Sequence, residues 1–483
     1  MPPPDSNRLA RSAYMLAGGR APGLVIAFAI PLVLARAFDQ TEFGTYKQLF
    51  LIYATLFGLA QAGMAESLYY FVPRHGAMAG RFVANSMLAL AAIGVAAIVA
   101  LTAGRDQIAA WLSNPALAPH LPLLGWFLAL MLTSAVFEIV LLSRQQNGSA
   151  AWTYAVTDIA RAAGMTVPAL LAWGVGGVMA GAVVFAATRL MAASVAMAAA
   201  YRSDLRPDFA VLRRQLAYAL PFAIAVGIEV LNLNWHQYAV AARFDAAAFA
   251  IYAVGCLQVP VVDLIVTSTC NVMMVEMAAA SGRDPAAARW LWHDTIGRLA
   301  LMIFPLAAFL VVMARQIIVV LFTPAYEASV PIFMLWSLTM LTSVLVVDGV
   351  LRVYAQTRYL LAQNLLHLCI VAGLAGTFLR VFGLEGAVLV TLLATLIVKS
   401  IAVIRITRVM QISMADALPW RRVATAASCA IIATAPAFAI TRLGLPPLTT
   451  LPLAAASYAL AYGALCYAIN RRGREPVPAV NAI

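Results

Sequence analysis

Read for polarity alone, the chain alternates long apolar runs with short polar breaks. A helix needs roughly 20 predominantly apolar residues to cross a hydrocarbon core, and about fourteen runs meet that criterion. They cover residues 12–37, 46–72, 83–104, 121–143, 151–172, 176–200 and 214–237, then 247–275, 296–322, 330–351, 359–380, 385–407, 421–442 and 449–469. The connections are short. The longest, near 276–294, has room for an amphipathic turn or two but not for a catalytic domain. Met1 to Arg11 is polar with two arginines, and the apolar run that follows holds Pro31 and no small-residue cleavage site. It reads as a retained first span, interrupted by Arg20, rather than a signal peptide. The pattern predicts an all-α polytopic membrane protein.

Composition agrees. Of 483 residues, 63% are hydrophobic and 11% charged, against about 45–50% and about 25% in soluble domains. That balance excludes disorder, a collagen-like chain and a soluble multidomain enzyme. The net charge of +12, from 32 Lys+Arg against 20 Asp+Glu, at first suggests a nucleic-acid partner. The basic residues are spread thinly between apolar runs, however, and they sort by side. With the N-terminus inside, twenty arginines fall at inside ends, among them Arg74, Arg81, Arg144, Arg206, Arg213, Arg358 and Arg421. Only Arg36, Lys47, Arg105, Arg243, Arg380 and Arg442 fall outside. The surplus is mostly a topology signal: an even number of spans, both termini cytoplasmic, no nucleic acid. Cys256, Cys270, Cys369, Cys429 and Cys466 lie in or near apolar stretches without a CxxC pair, as small buried residues do.

The spans also repeat. Phe38-Asp39-Gln40-Thr41-Glu42-Phe43-Gly44-Thr45-Tyr46 follows the first, and Phe244-Asp245-Ala246-Ala247-Ala248-Phe249-Ala250-Ile251-Tyr252 follows the seventh. Both read F-D-x-x-x-F-small-x-Y at an outside turn entering an even-numbered span. This suggests two six-helix halves related by a parallel repeat, with two helices added at the C-terminus. The lobes would be 1–201 and 202–410, with 411–483 holding spans thirteen and fourteen and a cytoplasmic tail. The break falls in 201–215, where Arg202, Arg206, Arg213 and Arg214 accompany Pro207.

The stretch from Pro31 through Arg36 to Phe38, followed by Glu42-Phe43-Gly44-Thr45-Tyr46, resembles the start of Wzx-type polysaccharide-biosynthesis flippases. Leu321 to Ala328, Leu351 to Arg358 and Gly383-Leu384-Glu385-Gly386-Ala387 are similar to later turns of that family. The family more often has glycine near Thr323-Pro324. The resemblance covers most of spans one to twelve and places the chain with the multidrug/oligosaccharidyl-lipid/polysaccharide (MOP) exporters. It implies two six-helix lobes around a central cavity, alternating access, and movement of a lipid-linked oligosaccharide, undecaprenyl-diphosphate-linked, from the inner to the outer leaflet of a bacterial inner membrane.

Charged groups inside spans are the remaining signal, because each costs at least ~2.5–3.5 kcal/mol on insertion scales and so faces a partner or water. They are Glu66, Glu138, Asp158, Arg161, Arg189, Glu229, His236, Asp263, Asp348 and Lys399. Asp158 and Arg161, three apart on one helix face, can neutralise each other. Asp348 and Arg352 sit near an inside end, where snorkelling is cheap. Glu138 and Lys399 fit a structural pair as well as a functional role. Span seven carries Glu229, Asn232 and His236 as one polar stripe, with Asn234 beside it and Pro221 favouring a kink. Such a stripe can line a cavity or act as interhelical glue. Asp263 and Thr267 in span eight, and Gln61 and Glu66 in span two, add further polar positions.

A diphosphate headgroup needs cationic donors, and arginine's planar fork suits it. Arg20, flanked by Gly18, Gly19 and Pro22, Arg189 in span six, and Arg298 at the start of span nine are the headgroup candidates. For Arg189 a buried pair with Asp158 or Glu138 competes with that role. Glu66, Glu229, Asn232 and Asp263 are the cavity and ion-coupling candidates, with H⁺ or Na⁺ as the coupling ion and no other cofactor or metal. Gly174-x-Gly176-Gly177-x-x-x-Gly181 lacks the strand and lysine of a nucleotide loop, and Gly177 with Gly181 forms a GxxxG packing face instead. HExxH, Walker and GxSxG motifs are absent. The expectation is therefore a secondary-active flippase rather than an enzyme, serving O-antigen, capsule or exopolysaccharide synthesis alongside membrane lipids and a polysaccharide polymerase. A multidrug or organic-cation antiporter is the alternative, and a glycan polymerase or ligase a more remote one.

Overall fold

The computed structural model describes residues 23, 25–26, 28–61, 63–280 and 284–472, and every regular element among them is helical. In chain order the helices are α1 (Phe28–Ala37), α2 (Gln40–Gln61), α3 (Ser67–Arg74), α4 (Ala79–Ala103), α5 (Arg105–Trp111), α6 (Leu121–Ser134) and α7 (Val136–Ser143). They continue with α8 (Asn147–Leu170), α9 (Gly174–Tyr201), α10 (Phe209–Ala241), α11 (Ala246–Gly255), α12 (Pro260–Ala280), α13 (Pro285–Val312) and α14 (Ala314–Phe322). The last are α15 (Val330–Thr339), α16 (Val347–Val353), α17 (Thr357–Phe382), α18 (Glu385–Met410), α19 (Trp420–Thr441) and α20 (Pro447–Arg472).

Among the described residues, ten helical stretches are long and apolar enough to cross a membrane, and the two arms of α10 make an eleventh. Those arms meet at 44° beside Pro221, where the missing N–H breaks the ladder as the sequence predicts. The remaining predicted spans fall on α1, on α2 with α3, and on α8, whose Thr153, Thr157, Asp158, Arg161 and Thr166 dilute its apolar character.

Several runs that read as single helices are broken. The second is interrupted between α2 and α3, where Gly63 takes φ +73, a conformation glycine adopts without strain. The eighth is divided ahead of Pro260, which has no N–H to continue α11. The tenth is divided by the 3₁₀ turn Met340–Val344 and by non-helical Leu345 and Val346. Conversely, the supposed loop at 276–294 is largely helix. Asp284 caps α13 by accepting from the Ala286 and Ala287 N–H groups at 2.9 and 3.0 Å, and Pro285 fits the first turn.

Backbone contacts gather into two compact units, one of residues up to Ala253 with Val371–Leu379, the other of Val254–Ile370 with Arg380 onward. In the first, Leu68, Phe71, Phe82, Leu128, Leu132, Val136 and Val140 form a buried core from α3, α4, α6 and α7, with the Phe71 and Phe82 rings stacked 4.5 Å apart. α8 and α9 approach at Gly164 and Gly181. A Cβ on Gly181 would meet the Gly164 carbonyl oxygen at 1.9 Å, so the expected glycine packing face is used. In the second unit α13 is central, burying Trp292, Ile296, Leu299 and Ile303. The Trp292 indole donates to Ala417 O at 2.8 Å, and Tyr462 of α20 donates to Leu301 O at 2.8 Å.

The repeated F-D-x-x-x-F motif is a helix start used twice. Asp39 accepts the Glu42 N–H and Asp245 the Ala248 N–H, each at 2.8 Å, satisfying N-terminal donors that hydrocarbon cannot. Phe43, Tyr46, Phe249 and Tyr252 are buried behind these caps. The two copies touch: a Cβ on Gly44 would lie 1.8 Å from Ala246 O. Overpacking costs typically ~1–3 kcal/mol, and here the obstacle is backbone. Gly44→Val should therefore lower the melting temperature of the purified protein, or abolish its accumulation, whereas Ala250→Gly should cost only the ~1 kcal/mol of a glycine inside a helix in the same assay.

Residues 201–215 form a latch. Asp208 accepts from the Ala210 and Val211 N–H groups and pairs with Arg81 at 3.0 Å. Its backbone exchanges two bonds of 2.9 Å with the Asn85 amide. Behind it the buried Gln215 amide donates to Ser67 Oγ and Ser86 Oγ at 2.8 and 2.7 Å. The Val211 N–H, then Arg81 and the Ala210 N–H, hold the Asp208 carboxyl below the usual carboxylate range. A depressed folded-state pKa gives stability that is complete above the unfolded value, near 4, and lost as pH falls through the folded one. The melting-temperature gap between the parent and Asp208→Ala should be constant at neutral pH and narrow below about pH 4.

Candidate functional site

The mid-span charges divide between the two units. In the first, Arg189 of α9 donates from Nη2 to Glu138 Oε1 of α7 at 2.6 Å, and the two side chains are only 12% and 6% exposed. Nη1 reaches Met131 Sδ at 3.2 Å, while Nε is buried without a hydrogen-bond partner. Of the two roles open to Arg189 in the sequence, the structure places it in the pair with Glu138. Arg161 bonds Asp158 at 2.9 Å on α8, the self-neutralising arrangement their spacing suggests. The Asp158 carboxylate is packed so closely that a Cβ on Gly23 would lie 2.1 Å from Oδ2. Arg20 lies outside the described residues.

The stripe on α10 runs from exposed to buried. Glu229 is exposed, Asn232 half-buried and His236 buried. The His236 ring meets the Tyr252 hydroxyl at 2.6 Å, so the second copy of the repeated motif receives it. Asn234 bonds back to Val230 O at 3.0 Å. Glu66 sits just ahead of α3 without capping it, and its Oε2 is buried without a hydrogen-bond partner. Polar atoms left so are rare and mark strained or functional positions.

The second unit holds two polar cavities flanking α12. One, of about 390 Å³, is lined by Ser268, Glu276, Trp290, Asp294, Thr295 and Arg298 among others. The side chain of Arg298 is 67% exposed; its Nε bonds Asp294 at 2.6 Å, and Arg422 approaches the other oxygen of Asp294 at 3.4 Å. The second cavity, about 240 Å³, is lined by Thr267, Asn271, Ser343, Asp348 and Arg352. Asp263 is exposed in the first turn of α12. Glu276 and Trp290 escaped notice in the sequence because they lie in the stretch read as a loop. The Asp284-Pro285 pair was the available signal for a helix start there.

No group of three or more His, Cys, Asp or Glu suited to a metal is present among the described residues. What the arrangement offers chemically, among the described residues, is a closed Glu138–Arg189 pair, arginines at two cavities (Arg298 and Arg352), and exposed carboxylates. Charges placed so among apolar helices are those of a membrane-embedded protein with polar interior sites.

The comparisons agree with this class. The polysaccharide biosynthesis protein family matches residues 33–331, and the chain belongs to that family. No curated protein sequence matches. Among solved structures, the lipid II flippase MurJ in an inward-closed conformation aligns with TM-score 0.69 at 12% identity, over 93% of this chain and 99% of that one. A MATE-family multidrug resistance transporter of the MOP superfamily, inward-facing, gives 0.58 at 13% identity over 83% and 96%. A MOP transporter from Pyrococcus furiosus, described as having a binding pocket of reversed polarity, gives 0.54 at 13% over 83% and 95%. The chain thus has the fold of MOP-superfamily membrane transporters, and the resemblance to Wzx-type flippases stands on family and fold together.

Breaking a buried ion pair by removing one partner costs about 3–5 kcal/mol, while replacing both with apolar residues is often neutral. Arg189→Met should therefore melt well below the parent, and Arg189→Met combined with Glu138→Leu should recover most of the loss. Melting of the single variant at the parent's temperature would remove the structural role.

Proposed function

We propose that the protein is a secondary-active flippase that moves an undecaprenyl-diphosphate-linked oligosaccharide from the inner to the outer leaflet of a bacterial inner membrane. Both termini are cytoplasmic, the lobes 1–201 and 202–410 alternate access, and coupling is to H⁺ or Na⁺. The family match across residues 33–331 carries this reading, since membrane-embedded steps of polysaccharide synthesis require a polar glycan to cross hydrocarbon. Arg298 supports it. It is the headgroup candidate whose guanidinium opens to a cavity, and a planar fork bonds a diphosphate bidentately. Arg189 takes part only by releasing Glu138, and Arg20 joins Arg298 as a proposed headgroup ligand. Glu66, Glu229, Asn232 and Asp263 are the proposed ion-coupling and cavity positions. The exposed carboxylates Glu229 and Asp263 also suit an organic cation, which keeps the multidrug antiporter as the second reading.

Deletion of the gene should trap the lipid-linked glycan on the inner leaflet, and the parent should release it. A charge-assisted hydrogen bond contributes about 1.5–3 kcal/mol, so Arg298→Ala at low expression should slow release roughly ten- to hundredfold. Full rescue by Arg298→Ala removes its headgroup role. Drug sensitivity with normal surface glycan points to the antiporter.

A further inference from the structure

The break between α15 and α16 is where the chain leaves backbone groups without helical partners inside a span. It contains neither Gly nor Pro. Instead Thr342 Oγ1 and Ser343 Oγ bond back to Thr339 O and Met340 O at 2.8 and 2.6 Å, the local bonding by which Ser and Thr bend helices. The Thr342 and Leu345 carbonyls each take one donor from the turn itself, from Leu345 N at 3.2 Å and Val347 N at 2.8 Å. Each has a second lone pair, and the Lys399 ammonium fills both. Nζ donates to Thr342 O and, at 3.2 Å, to Leu345 O.

Lys399 lies near the middle of α18, a 26-residue helix, several turns from either end. It is too deep for its ammonium to reach an interface at no cost. The seat it occupies, carbonyls at the C-terminal end of a half-helix, is electrostatically that of a bound cation. Beside it, the 240 Å³ cavity is lined by Ser343 and Val346 from the break, by Asp348 and Arg352 from α16, and by Cys270 and Asn271 from α12. Gln363 of α17 holds Asp348 Oδ1 at 3.1 Å. The clamp, a counter-charge and room for water thus meet at one point of the second unit.

We propose that Lys399 is a proton-binding residue whose charge state sets the conformation of the broken helix α15–α16. Charged, it clamps the Thr342 and Leu345 carbonyls and holds the break. On deprotonation one N–H bond is broken, the proton passes to water in the adjoining cavity, and a neutral amine is left that releases the clamp. Reprotonation from the same water restores it. The proposal deepens the flippase reading by naming the coupling ion as H⁺, and it rests on that reading for its link to transport.

Other titratable groups around the site are few. α15 and the 340–344 turn carry none, and α16 carries Asp348 and Arg352. α17 brings His367, whose ring meets Thr395 Oγ1 at 3.2 Å, with Cys369 beyond it and Arg358, Tyr359 and Arg380 toward its ends. α12 brings Asp263, Cys270 and Glu276, and α18 itself adds Glu385, Arg405 and Arg408. Arg405 is engaged with Gln356 Oε1 at 2.7 Å. His367 is therefore the neighbour that has to be separated from Lys399.

Cys270 is a native reporter. A Cβ on Gly349, in the first turn of α16, would lie 2.6 Å from its Sγ, so movement of α16 changes access to this thiol. The full-length protein, with Cys256, Cys369, Cys429 and Cys466 replaced by Ala, is labelled with N-ethylmaleimide from pH 6 to 9. Each rate is divided by that of Lys399→Arg in the same background, which cancels thiolate chemistry. The ratio should follow a single titration and change about fivefold or more, the scale of a modest coupling. Lys399→Met divided by Lys399→Arg should be flat with pH. If Lys399→Met does not fold, Lys399→Gln, which donates without charge, takes its place. His367→Gln should keep the response. A parent ratio flat with pH overturns the proposal, as does loss of the response in His367→Gln. A ratio that follows Na⁺ replaced by choline rather than pH also overturns it. No lipid-linked glycan is present in this assay, so its failure leaves the flippase reading to the trapping experiment.

Discussion

Hydrocarbon offers no hydrogen bonds, and the architecture follows from that. Each backbone N–H and C=O within the membrane must find a partner in the protein, which is why the described elements are helices and why their interruptions are the informative places. Side chains compensate several of these ends and breaks. Asp39 and Asp245 supply acceptors at helix starts, hydroxyls of Thr342 and Ser343 fold back onto carbonyls, and Lys399 reaches across from another helix. Side-chain chemistry that seems decorative in a water-soluble helix becomes obligatory here.

The same solvent sorts the charges. Glu138 and Arg189 close on each other where both side chains are almost fully buried, and Asp158 pairs with Arg161 on one helix face. Arg298, near the start of α13, has Asp294 on one side and an open cavity on the other. Burial thus distinguishes a charge closed into a pair from one that also faces a cavity, a distinction that mid-span position alone does not supply.

Much of the fold was legible because length and hydropathy are sufficient to find a membrane helix, and Pro221 announced its own bend. The breaks at Gly63 and at 340–346 were less so. The first lies in a run of small apolar residues where glycine is common, and the second depends on hydroxyl bonding and on a lysine some fifty residues away. The repeated motif was visible, but its meaning as a helix cap was not drawn from it, although Asp ahead of an apolar run is a standard start signal. For the site, residue types were readable and partners were not. Whether Arg189 meets Glu138, Asp158 or a ligand depends on the rotation of α9 about its own axis, which no local pattern fixes. Arg298 was visible as an inside-end arginine, yet its cavity depends on Trp290 and Glu276, which were assigned to a loop.

The contact between the two copies of the repeated motif also has a mechanical meaning. Gly44 lies against the Ala246 carbonyl so closely that no added carbon would fit, so the two helices meet backbone to backbone at this point. A rigid tilt of α2 that keeps this contact has it as its fulcrum. α2 is 22 residues long, roughly 30 Å at 1.5 Å per residue, so a rotation of about 10° there displaces its far end by roughly 5 Å. A glycine chosen for the space it leaves empty thus lets a small turn at one end of the helix become a large excursion at the other.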